Sequence, residues 1–285
     1  MEEKVLICPF DEKLISGFRK QALLVKTDDE NLINYISKSV SRDNQLHAIW
    51  LKTDQALSKL TFRESWKEVP LLIEAPEFGS FRELIPSLPI MRRMSIRIFL
   101  HSGDPFNYTG LKILSSLRVS SGLMIQNGST DWEAANDLMF YSVYSKTEHA
   151  PIEPFHYVVE HYNNKNYVDF DTVYFNDPGR YLHVNAKGQL ALTAHDLEES
   201  RFIAESIGEL EQAADEELFT RHSQERYTTM LSMNDCSLCP YFRICLGKYS
   251  QLENKEESCK ILFKDWMEAA DFRLMNRKNS EVPWQ

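Results

Sequence analysis

Cysteine is nearly absent from most of this chain. Five occur in 285 residues, and all but Cys8 fall between positions 236 and 259, so a second iron-sulfur cluster held by cysteines is excluded by counting. Long apolar runs are also missing. No stretch of eighteen apolar residues is available to cross a bilayer, and the start Met1-Glu2-Glu3-Lys4-Val5 lacks the basic-then-apolar pattern of a signal peptide. These absences predict a cytoplasmic protein with no membrane partner. Positive charge is in deficit: the net charge is -10, and Arg92-Arg93 is too short to form a patch. Nucleic acid is therefore not an expected partner, because such binding rests on Lys and Arg neutralising phosphates. The eight histidines form no H-E-x-x-H or H-x3-H pair, and no G-x-S-x-G, Walker loop or G-x-G-x-x-G occurs.

What is present reads as a globular chain, 43% hydrophobic and 26% charged, long enough for one large domain or two ordinary ones. The first 145 residues alternate short apolar runs with amphipathic stretches. Strands are expected at Gln21–Lys26, His47–Lys52, Pro70–Ala75, Ser95–His101 and Gly122–Gln126, at the period of βα units. Helices are expected over Asp29–Val40, Thr109–Leu117 and Asp131–Tyr144, the last with Glu133 in capping-box position. That alternation predicts an α/β fold with a parallel sheet, either an open layer or a partial βα barrel, since the units are too few to close an eight-stranded barrel.

The two prolines of His149-Ala150-Pro151-Ile152-Glu153-Pro154 suggest a boundary. The expected domains are thus residues 1–150, a smaller domain at 151–275 and a polar tail at 276–285. Within the second, Arg180–Val184 and Gln189–Leu192 flank a turn ending in Gly188, which reads as a hairpin. Residues 196–233 are acidic and helical in pattern. Cys259 to Phe272 reads as a closing helix with Ile261, Leu262, Trp266 and Ala269 on one stripe.

In a reducing compartment, the dense group Cys236-x2-Cys239-x5-Cys245 followed by Cys259 reads more readily as a metal site than as disulfides. Three readings stand: a 4Fe-4S cluster, whose size tolerates the x5 spacing and a remote fourth ligand; a structural zinc on four thiolates, although zinc ribbons usually offer two C-x2-C knuckles and this chain has one; and unliganded thiols. On the first two, Cys236, Cys239, Cys245 and Cys259 are the cofactor-binding and metal-ligating residues.

The segment Cys236-Ser237-Leu238-Cys239-Pro240-Tyr241-Phe242-Arg243-Ile244-Cys245-Leu246-Gly247 resembles the SPASM domain, the cluster-bearing extension of radical SAM enzymes that mature peptides and proteins. The hairpin Tyr181 to Leu192 extends the likeness. The resemblance implies that Cys236, Cys239, Cys245 and Cys259 hold the outer auxiliary cluster. The inner cluster of such domains needs a cysteine before the hairpin glycine, one at Thr193 and one at Tyr249, and none is there. A radical SAM core needs C-x3-C-x2-C, and Cys8 stands alone, so no SAM binding and no radical SAM activity is expected. The resemblance thus implies a degenerate, pseudo-radical-SAM protein with a single auxiliary cluster. Its role would be non-catalytic, binding a peptide, a protein substrate or a partner maturase. Rival readings are an iron-sulfur electron carrier, a structural-zinc binding module and a Cas4-like nuclease.

Other constellations are weaker. His101-Ser102-Gly103-Asp104 and Glu74-Ala75-Pro76-Glu77 both end expected strands, where βα loops often carry function, and ordinary turn and cap chemistry explains them as well. Asp169-Phe170-Asp171 could suggest a divalent cation but lacks the rest of a calcium loop. Cys8, after Val5-Leu6-Ile7, reads as buried and inert. The strand ends near Ala75, His101 and Gln126 are the expected docking edge for a ligand or partner segment.

Overall fold

The computed structural model describes residues 4–40, 43–126, 128–163, 165–212, 224, 228, 232, 236, 238–246, 248 and 258–280. The chain divides into two compact units, Met1–Phe99 with Tyr174–Gln224, and Leu100–Val173 with Glu225–Gln285. The strands, in chain order, are β1 (Val5–Pro9), β2 (Ala22–Thr27), β3 (Gln45–Lys52), β4 (Leu71–Ala75), β5 (Ile96–His101), β6 (Ser120–Met124), β7 (Ile152–Glu153), β8 (Tyr181–Val184) and β9 (Leu190–Ala191).

In the first unit the strand order is β5-β4-β3-β2-β1-β8-β9. Parallel pairing joins β1 to β2, β2 to β3, β3 to β4 and β1 to β8, while β8 and β9 form an antiparallel hairpin. The reason lies in β2. Leu23, Leu24 and Val25 are all fully buried, so both faces of the strand are covered, as parallel sheets require, and it reads as an apolar run rather than an alternation. The helix Ile33–Val40 buries Ile33, Ile36 and Val40, the stripe that the sequence shows. It is entered through a 3-10 turn, Glu30–Leu32, with the Asp29 carboxylate accepting from the Asn31 N–H.

The hairpin turn forms as expected, with Gly188 at φ +87° and its N–H donating to the Asn185 carbonyl. β8 is in register with β1 as Val5↔Tyr181, Leu6↔Leu182 and Ile7↔His183, so the hairpin completes the α/β sheet of the first unit. Thr193, where the resemblance sought a cysteine, instead caps the helix Ala194–Glu198, accepting from the Asp196 N–H and donating to its carboxylate at 2.6 Å.

The second unit contains the end of β5, then β6 and β7, which pair in parallel as Ser121↔Ile152 and Gly122↔Glu153. Its helices are Pro105–Ser116, Trp132–Tyr144, Phe155–His161, Phe242–Cys245 and Ser258–Ser280. The helix expected at Asp131 begins at Trp132, because Asp131 itself is the cap and accepts from the Ala134 N–H. The closing helix buries Leu262, Phe263, Trp266, Ala269 and Ala270, whereas Ile261 is exposed. Trp266 packs on Phe155 at 5.1 Å between ring centroids, with Phe170 and Phe263 also within 6 Å, and donates its indole N–H to the Phe155 carbonyl.

The α/β fold with a largely parallel sheet is therefore observed, and a small SPASM-like cluster-binding module is not. Among the described residues no group of three or more His, Cys, Asp or Glu side chains is placed to hold a metal ion. No helix among them is long and apolar enough to cross a membrane. Most of the acidic stretch at 213–233 lies outside the described residues.

Candidate functional site

The four C-terminal cysteines sit on separate pieces of backbone. Cys236 is on a helical turn, Cys239 follows it with its N–H on the Cys236 carbonyl, Cys245 ends Phe242–Cys245, and Cys259 lies in the first turn of Ser258–Ser280. None of the four is in a disulfide, and all are half-buried. Cys259 senses Cys239 and Cys236, and its thiol is pushed up by burial first and then by those two neighbours. That shift favours a protonated thiol. The expected 4Fe-4S cluster, and the zinc alternative, are corrected on the placement of the side chains. Cys236, Cys239, Cys245 and Cys259 are not assembled as a metal-holding group, because sequence spacing brings thiols near one another without fixing their convergence. With the cluster go the iron-sulfur accessory function, the electron-carrier reading and the cluster-bearing nuclease reading.

The Asp169-Phe170-Asp171 carboxylates have a protein cation. Lys248 Nζ lies 2.6 Å from Asp169 and 2.8 Å from Asp171, and 4.0 Å from the Phe170 ring centroid. An ammonium over an aromatic face and between two carboxylates satisfies the D-x-D pair internally.

The loops after β5 and β6 are likewise turned inward. Ser102 Oγ accepts from the Gln126 N–H at 2.9 Å and shares a 2.7 Å hydrogen bond with Thr130 Oγ1. The Tyr108 hydroxyl donates to the Ser102 carbonyl and accepts from the Asp131 N–H, and burial pushes its phenol up to about 12. Asp104 caps Pro105–Ser116 by accepting from the Phe106 N–H. This is turn and cap chemistry. Elsewhere in the same unit, a cavity of about 190 Å³ is lined by Ser142, Ser145, His149, His156, Glu160 and Arg273, among others. His149 closes its loop by bonding the Thr147 and Ser142 carbonyls.

A larger feature of the second unit is a face shared by two helices. Trp132 meets Phe263, Asn136 Nδ2 donates to Asp265 at 2.7 Å, and Tyr144 meets Phe272, so Trp132–Tyr144 and Ser258–Ser280 run side by side in the same direction. Residues three and four apart share a helix face. On the first helix one exposed stripe is Glu133, Asp137, Phe140 and Tyr144. On the second it is Asp265, Glu268, Phe272 and Met275, exposed except for half-buried Asp265. The two stripes place four carboxylates at one end and four large apolar side chains at the other. Phe140, Tyr144, Phe272 and Met275 are 41%, 42%, 54% and 63% exposed, and Phe140 stacks on Tyr144 at 5.6 Å. The Tyr144 phenol is pushed up by burial first, then by Glu268 and Asp265, which places the carboxylates against the aromatic patch.

In the first unit, Cys8 and Glu74 gather with Lys26 and Trp50 at the carboxyl ends of β1 to β4. Lys26 is in register with Pro9 and Trp50, and its Nζ lies 4.7 Å from the Trp50 ring centroid. Glu74 is buried and paired with Lys52 at 3.3 Å. His183 is 1% exposed, and neither of its ring nitrogens has a hydrogen-bond partner. Burial first, and the charge of Lys26 second, lower it to about 3, against the pull of the Phe175 backbone and Asp196. Cys8 is fully buried on β1 and pushed up to about 12 by burial. Glu74 and Cys8 stand out in the sequence, whereas Lys26 is marked only as a lone lysine near the end of an apolar strand.

No protein-family model, no curated protein and no solved structure matches this chain. The radical SAM/SPASM resemblance therefore has no support beyond the residues that suggested it, and it is withdrawn with the cluster.

Proposed function

We infer that this chain is a binding protein whose partner is a peptide or protein segment, docked on the two-helix face of the second unit. The observation that carries the reading is the pairing of an exposed apolar patch, Phe140, Tyr144, Phe272 and Met275, with the adjoining carboxylates of Glu133, Asp137, Asp265 and Glu268. Aromatic and Met side chains in a contiguous exposed patch mark interaction surfaces, and two parallel helices leave a groove suited to an amphipathic segment. Charge complementarity sets the occupant: apolar side chains at one end and Lys or Arg at the other.

The test is selection of a phage-displayed random peptide library on the immobilised full-length chain, followed by fluorescence polarisation with the consensus peptide. Recovered sequences are expected to join a basic cluster to aliphatic or aromatic residues. Affinity should fall at least tenfold on Phe272→Ala and on Glu268→Lys, and weaken as salt rises. Consensus peptides without basic residues, or peptides indifferent to both substitutions, would sink the reading.

A further inference from the structure

Lys26 is the last residue but one of a strand whose preceding residues, Leu23, Leu24 and Val25, are fully buried. It is half-buried itself. It makes no hydrogen bond and no ion pair among the described residues, and the nearby carboxylate of Glu74 is paired with Lys52. What it touches is aromatic: the Trp50 ring lies under its Nζ at 4.7 Å, and Phe175 packs on Trp50 at 5.6 Å. A second observation falls at the same place. Trp50 is 7% exposed, and its indole Nε1 is buried with no acceptor. Buried donors left unpaired in a folded protein call for an explanation, and here one lies on the ring beneath the Lys26 amine.

Burial disfavours the ammonium more than the Trp50 face and the nearby carboxylates favour it, and the neutral amine tolerates that setting and is a nucleophile. The carboxyl ends of parallel strands are also where open α/β sheets receive ligands. We propose that Lys26 is a carbonyl-capturing amine, condensing with a small aldehyde or ketone whose oxygen accepts a hydrogen bond from the Trp50 N–H.

The step needs no oxidant. Lys26 releases one proton to solvent, and the Nζ lone pair attacks the carbonyl carbon. A C–N bond forms as the C=O π pair moves to oxygen, which takes up a proton. The carbinolamine then loses its hydroxyl as water, leaving the protonated imine, and hydrolysis reverses the sequence. Burial is the main influence lowering the Lys26 pKa, and Lys52 acts in the same direction. Glu74, Glu198 and Cys8 oppose it.

The experiment treats the folded full-length chain with propionaldehyde and sodium cyanoborohydride near pH 7, the hydride converting any imine to a stable secondary amine. Peptide mass mapping over time gives a rate for each lysine. Lys26 is expected to be alkylated at least tenfold faster than the exposed Lys59 and Lys67, and Trp50→Phe should slow it at least threefold with the circular dichroism spectrum unchanged. The proposal is overturned if Lys26 in the folded chain reacts no faster than Lys59, or reacts only after denaturation. The wild-type rates decide this even if the Trp50 variant does not fold.

Discussion

At the scale of the residue, His183 is the most consequential single side chain. A histidine enclosed without partners stays neutral, and its folded-state value of about 3 lies below the usual one. As pH falls, the unfolded chain takes up the proton first. The stabilisation is complete above about pH 6.5 and is lost progressively between there and about 3, at up to ~1.4 kcal/mol per pH unit. Urea unfolding across pH 7 to 4 should show this slope, and His183→Leu should flatten it. Gly79 is a second point of constraint. It sits at φ +75°, and an added Cβ would overlap Ser58 Oγ and lie 2.9 Å from the Ala56 Cβ. Gly79→Ala combines backbone strain with a clash and should cost about 2 kcal/mol, seen as a lower urea midpoint with an unchanged slope.

At the scale of the element, the strands were legible and the sites were not. Observed β2 to β6 fall within a few residues of their expected positions, because a strand buried on both faces must be written as a continuous apolar run. β1 and β7 escaped notice: β1 is five residues long and ends in Pro9, and β7 is two residues long. The two-helix face was half legible, since the buried stripe of the closing helix could be read whereas its pairing with Trp132–Tyr144 depends on packing. The cysteines show the opposite failure. Their spacing is conspicuous, yet where each thiol points is set by the turns between them, which spacing does not encode. Lys248 gives a test at this scale. Its side chain is 12% exposed and it neutralises both Asp169 and Asp171, so Lys248→Met leaves two carboxylates without their cation. The cost should be on the order of 2–3 kcal/mol, whereas Lys248→Arg should recover part of it. Thermal melts of the two variants give the comparison.

At the scale of the whole molecule, the first unit is discontinuous in sequence. Residues Tyr174–Gln224 supply β8, β9 and the aromatic side chains of Phe175 and Tyr181, which pack on each other at 5.4 Å. A fragment ending at residue 150 would retain β1 to β6 but lose the neighbour of β1 on one side, exposing an apolar strand edge. It should be recovered as aggregate or show no cooperative unfolding transition, whereas a fragment ending at residue 212 should keep more of the soluble fold. Expression and a thermal melt of both decide it. The same pairing has a consequence during synthesis. β1 leaves the ribosome well before its partner Tyr181–Val184, which follows about 175 residues later. At roughly 5–20 residues per second, that strand edge waits on the order of 10–35 s for its permanent neighbour. Translation tempo and early chaperone contact thereby become determinants of how much of this protein reaches its native state.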